Sequence, residues 1–151
     1  PFVNMMNRRA QELMANGTHF MNPHGLHDDN HYTTAYDLYL IFNECIKHED
    51  FVNIIQSEAY TAYYTDVDGN SQEALFTPTN LYAQGEVDVP ENVTIVGGKT
   101  GTTDEAGYCL ILMEKDSSDN PYISIVMGAS EKPVLYEDMT SLIEAIPSGQ
   151  Q

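Results

Sequence analysis

The stretch Gly98-Lys99-Thr100-Gly101-Thr102-Thr103 gathers the residue types that hold a carboxylate. Lys99 presents a fixed cation. Thr100 and Thr102 offer hydroxyls on either side of Gly101, where the absence of a side chain lets a ligand backbone approach. Set on an edge strand, such a segment hydrogen-bonds an extended peptide and keeps its terminal carboxylate beside the ammonium. The candidate substrate-binding residues are therefore Lys99, Thr100, Gly101 and Thr102. As a bare triplet, Lys-Thr-Gly is a weak signal that suits a plain surface strand equally well.

Two other clusters could bind metal. His19, His24, His27 and His31 share one short loop with Asp28 and Asp29, and imidazoles with carboxylates ligate zinc, but their spacings match no closed zinc motif. Asp66-x-Asp68-x-Asn70 imitates the start of a calcium loop. Ser71 stands where its glycine belongs and Thr77 where its glutamate belongs, so a hairpin turn is the better reading. The expectation is no metal and no cofactor. Cys45 and Cys109 lie far apart, without metal-type spacing, and read as small buried apolar residues rather than a disulfide.

The wider context strengthens the first cluster. Lys99-Thr100-Gly101-Thr102-Thr103 followed by Ala106-Gly107-Tyr108 resembles the third motif of the penicillin-binding proteins and serine β-lactamases. Phe2-Val3-x-x-Met6-Asn7, Thr18-His19-Phe20-x-Asn22-Pro23-His24-Gly25-Leu26, Thr33-Thr34-Ala35-x-Asp37-Leu38 and the late Tyr136-Glu137-Asp138 are similar to segments of the D-alanyl-D-alanine carboxypeptidases, in the same order. The resemblance implies a serine acyl-enzyme mechanism on peptidoglycan stem peptides ending in D-Ala-D-Ala, with β-lactam antibiotics as inhibitors and an extracytoplasmic setting. It implies that Lys99 attracts the terminal carboxylate and polarises the active-site hydroxyls. Thr100 and Thr102 would hydrogen-bond that carboxylate, and the Thr102 backbone N–H would be an oxyanion donor, which makes Lys99 and Thr102 the catalytic candidates.

The chain departs from this family in lacking two motifs expected ahead of the Lys99 strand. No Ser-x-x-Lys tetrapeptide, the expected nucleophile and base, occurs anywhere in it. Ser118-Asp119-Asn120 has the letters of the family's second motif but follows Lys99 in a polar link, so it reads as a turn. Residues 1–151 are thus expected to be a single incomplete domain, the C-terminal portion of a penicillin-binding peptidase domain, inactive alone. Two alternatives share the strand: a class A-like β-lactamase, whose Glu-x-x-Leu-Asn segment is not found here, and a catalytically dead peptide-binding scaffold.

Around these residues the patterning predicts an α+β fold with an antiparallel sheet and flanking helices. Apolar residues at Phe2, Met6, Leu13 and Met14, with Ala10 between them, predict a helix to Asn16 stopped by Gly17. A second helix begins near Thr34, a hydroxyl cap three residues before Asp37, and a short third one is capped by Asp50 and ends at Ile55. Aromatic and β-branched runs flank Asp68-Gly69-Asn70 as a hairpin. Strands follow at 94–100, 108–114 and 122–129, then a closing helix over 135–146 with Leu135, Met139, Leu142, Ile143 and Ile146 inward. The family's five-stranded sheet would place two further strands beside residues 122–129. That edge is expected to self-associate or to pair with the missing N-terminal half. Against 23 Asp and Glu the chain has 6 Lys and Arg, net −17, which excludes nucleic acid as a partner.

Overall fold

The computed structural model describes residues 1–148. Helices α1 (Phe2–Glu12), α2 (Ala35–Cys45) and α3 (Glu49–Ile55) come first. A hairpin of β1 (Tyr60–Thr65) and β2 (Ser71–Phe76) and a one-turn helix α4 (Leu81–Gln84) follow. The chain then forms an antiparallel sheet of β3 (Val93–Thr103), β4 (Gly107–Asp116) and β5 (Pro121–Ala129) in that spatial order, and closes with α5 (Lys132–Glu144). The α+β class holds. The β1–β2 pair forms its own sheet, so β3 and β5 are both edge strands.

The loop between α1 and α2 is built by the segments that carry the family resemblance. The Asn7 side chain donates to the Phe20 carbonyl at 2.8 Å and accepts from the Phe20 amide at 2.7 Å. Asn22 accepts from Gly25 N–H and donates to the Leu26 carbonyl, around a glycine at φ +78°. The Thr18 hydroxyl donates to buried Asp37 at 2.7 Å, and Thr34 caps α2 by accepting from Asp37 N–H, as its position predicts.

Some boundaries differ from expectation. α1 stops at Glu12 because Met14 takes a left-handed conformation at φ +64° and Ala15 N–H returns to the Ala10 carbonyl. Gly17 is needed for space instead: a β-carbon there would lie 3.0 Å from Thr34 Cγ2. α3 starts after His48, whose side chain makes no cap hydrogen bond, and Asp50 sits in its first turn rather than at its cap. Both cysteines are free but only half-buried, less covered than small apolar residues in a core. The turn reading of Ser118-Asp119-Asn120 holds, with Asp116 accepting from the amides of Ser118 and Asn120 and Asp119 at φ +67°. Asp66 does the same for Asp68 and Asn70 in the first hairpin. Both hairpins therefore use one carboxylate to hold the same Asp-x-x-x-Asn loop.

The core lies between the sheet and α5. Alternation along β4 points Leu110, Leu112 and Glu114 at Leu135, Tyr136, Met139 and Ile143. Tyr136 takes the inward place expected of Leu142, which is 45% exposed. Its hydroxyl accepts from Leu81 N–H at 2.9 Å, and its ring meets Tyr82 edge-on at 5.4 Å between centroids. Asn92 closes the end of α5 by donating to the Ile143 and Ile146 carbonyls.

Glu114 is the discordant member of this core. It is fully buried, and neither carboxyl oxygen completes a hydrogen bond. Burial pushes its pKa up from 4.5 to about 7, a rise only partly offset by the Ser124 side chain and the nearby backbone. A carboxyl with a raised folded pKa gives its full contribution to stability below the unfolded value and loses it as pH rises through about 7. Glu114→Gln should therefore unfold later than the parent chain at pH 8. The stability gap between the two should widen by about 1.4 kcal/mol per pH unit across the window between those two pKa values. Parallel pH profiles in chemical denaturation would contradict this.

Candidate active site

The Lys99 segment lies on the free edge of β3, where two glycines fix its course. β3 pairs with β4 from Val93↔Asp116 to Thr103↔Gly107, with a bulge between Ile95 and Gly97. A β-carbon on Gly97 would lie 2.2 Å from the Ile55 carbonyl oxygen, so the end of α3 rests directly on the strand backbone. A β-carbon on Gly98 would come within 2.1 Å of the Ile111 carbonyl oxygen, across the ladder. Bulk at either position would displace the segment that follows.

Lys99 is exposed, and its ammonium donates to the Thr100 carbonyl oxygen. The Thr100 hydroxyl lies 2.5 Å from the Thr79 hydroxyl. Strand alternation sends Lys99 and Gly101 to one side of the sheet and Thr100 and Thr102 to the other. The four candidates thus share a strand edge without sharing a face. Around Gly101 the surface is open: no atom outside the adjoining residues lies within 4 Å of where its β-carbon would be. Packing within this chain does not demand glycine there. Beyond Thr102, Thr103 accepts from Ala106 N–H and Gly107 at φ +65° turns the chain into β4.

The histidine loop meets this end of the strand. His27 Nδ1 lies 3.7 Å from Glu105 in the β3–β4 turn and its Nε2 lies 3.2 Å from Asp29. The other rings serve local backbone: His19 pairs with the Asn30 carbonyl, His24 accepts from Leu26 N–H, and His31 accepts from Met21 N–H. Among the described residues no three His, Cys, Asp or Glu side chains converge as a metal site.

Thr79 and Ile55 belong to this site but carried no signal in the sequence. Thr79 lies 21 residues before Thr100, in a stretch without periodicity. Ile55 matters through its main-chain carbonyl, which no side-chain pattern reports.

Residues 1–131 match the D-alanyl-D-alanine carboxypeptidase family. The chain belongs to that family. It falls within the penicillin-binding and β-lactamase-like superfamily. The D-alanyl-D-alanine carboxypeptidase DacF of Bacillus subtilis is 30% identical over 143 residues, which are 95% of this chain and 34% of that protein. DacA of Haemophilus influenzae is 31% identical over 127 residues, 84% of this chain and 29% of its own length. The crystal structure of the Streptomyces K15 DD-transpeptidase superposes with a TM-score of 0.83 at 26% identity, covering 95% of this chain and 52% of that one. This carboxypeptidase-family chain therefore spans about a third of those curated relatives and about half of the solved structure.

The close contact at Gly97 yields a test. Gly97→Ala must push α3 off the strand or bend β3. It should destabilise the protein by about 1–3 kcal/mol, the usual cost of overpacking. Denaturant unfolding checks it, and a midpoint equal to that of the parent would show that α3 yields freely.

Proposed function

We propose that this chain supplies the substrate-anchoring strand of a serine D-Ala-D-Ala carboxypeptidase acting on peptidoglycan stem peptides outside the cytoplasmic membrane. One observation carries the reading: the Lys99-Thr100-Gly101-Thr102 segment lies on a strand edge that no other strand pairs among the described residues, with open space where a Gly101 side chain would stand. A peptide lying along that edge extends the sheet by one strand. Its terminal carboxylate pairs with the Lys99 ammonium, which leaves the Thr100 carbonyl for it, and with the Thr100 hydroxyl, which Thr79 already orients. The Thr102 N–H then faces the scissile carbonyl as an oxyanion donor. A serine hydroxyl attacks that carbonyl, the terminal D-Ala leaves as the free amine, and water hydrolyses the acyl-enzyme. β-Lactams, which present a carboxylate beside a strained amide, occupy the same edge as inhibitors.

The Ser-x-x-Lys nucleophile and base must come from outside residues 1–151, which we read as the C-terminal portion of one peptidase domain. The outer edge of β5 is free to pair. It accepts either strands from the rest of the domain or a second copy, because backbone pairing acts at contact range while charge repulsion is screened beyond about 8 Å. Among the described residues no helix is long and apolar enough to cross a membrane.

Two outcomes test this reading. In the full-length protein, Thr102→Pro removes the oxyanion N–H and should slow acylation by about 100-fold or more. Lys99→Ala should slow it by about 10- to 100-fold through loss of a charged hydrogen bond, with the fold intact in both. An unchanged acylation rate in Thr102→Pro would show the donor to be misassigned. The isolated chain should take up no fluorescent penicillin and should sediment at micromolar concentration as more than a monomer. Stoichiometric labelling, or a stable monomer, would contradict the corresponding half of that expectation.

A further inference from the structure

A cavity of about 620 Å³ lies between the free edge of β3 and the segment running from α3 through the hairpin to α4. Ile54, Ile55, Tyr60, Phe76, Pro78 and Ala83 supply its apolar wall, while Lys99 and Thr100 close the β3 side. Among its fourteen lining residues Lys99 is the only Lys, Arg, His, Asp or Glu. That is unusual in a chain with 23 acidic residues, and it gives the cavity one positive pole and no negative one. Part of its polar lining is already engaged. The Thr79 hydroxyl is paired with Thr100, and the Asn80 side chain accepts from Tyr82 N–H at 3.1 Å as the cap of α4.

One cation at the rim of an apolar cleft complements an anion bonded almost directly to an apolar group. A residue's α-carboxylate and its side chain stand in that relation, since both hang from one α-carbon. The alanine methyl is far smaller than this space, roughly the 30 Å³ of a single water. We propose that the cleft receives the side chain of the C-terminal residue whose carboxylate is held at Lys99, so that the enzyme releases large apolar D-residues as well as D-alanine. This rests on reading the Lys99–Thr102 strand as the carboxylate anchor. The chemistry is unchanged by the side chain: the amide C–N bond breaks, water gives its hydroxyl to the acyl carbon, and its proton leaves with the amine.

The test uses the full-length protein and two peptides, an N-acyl-D-Ala-D-Ala and the matching N-acyl-D-Ala-D-Phe. The native protein should release D-Phe with a kcat/KM within about tenfold of that for D-Ala. Ala83→Phe places a ring in the cleft from an exposed position on α4 and should lower the D-Phe to D-Ala ratio by at least about tenfold. Ile54→Trp does the same from the wall formed by α3, where Ile54 is 73% exposed, and decides the matter if the first variant does not fold. Release of D-Ala without D-Phe by the native protein, or an unchanged ratio in a folded variant, overturns the inference while leaving the carboxypeptidase reading standing. If neither residue is released, the carboxypeptidase reading falls and this inference falls with it.

Discussion

The α-carbon of Gly97 lies against the carbonyl of Ile55, and Gly98 lies against the carbonyl of Ile111 on the neighbouring strand. These two contacts hold β3 between a helix end and the rest of the sheet, at a spacing no other residue type permits. Lys99 follows immediately, so its position is set by backbone packing rather than by its own interactions. The register with β4 then carries that placement through Thr100, Gly101 and Thr102 to the turn at Gly107. A strand edge whose course is fixed from both sides can receive a ligand backbone without reordering, which spares the entropy a mobile loop would lose.

The opposite side of the sheet does the holding. α5 packs Leu135, Met139 and Ile143 onto Leu110 and Leu112, and the Tyr136 hydroxyl ties Leu81 to the same helix. That tie places α4, and with it Ala83 and Thr79, along the free edge of β3. The helix behind the sheet therefore helps to shape the cleft in front of the edge. Glu114, buried without a partner in this layer, weakens it in a pH-dependent way that leucine would not.

Electrostatics separates site from surface. The chain is strongly acidic, yet the cleft beside Lys99 is lined by no carboxylate. The carboxylates at Asp66 and Asp116 are consumed in turns, each held below its ordinary pKa, first by a neighbouring side-chain amide, Gln72 for one and Asn120 for the other, and then by backbone amides. Glu44 is paired with Lys47 and Arg9. Lys99 thus stands beside a cleft whose lining holds no carboxylate to offset its charge.

Residue order is enough to specify the class of fold, most helix and strand positions, and the strand that carries Lys99. Those features rest on periodicity, capping and turn chemistry, which act over a few residues: Thr34 reaching Asp37, or Asp116 holding Ser118 and Asn120. It misplaced the end of α1, because the left-handed turn at Met14 is imposed by the return of Ala15 to Ala10 and not by a glycine. It passed over α4, whose single turn is too short to show a period and depends on Tyr136 from a helix 55 residues away. The tertiary structure alone decided that Thr79 meets Thr100, that His27 meets Glu105, and that a cleft opens beside Lys99. Each is a contact between segments distant in the chain, fixed by how helices pack against a strand edge, and local residue order carries no trace of that packing.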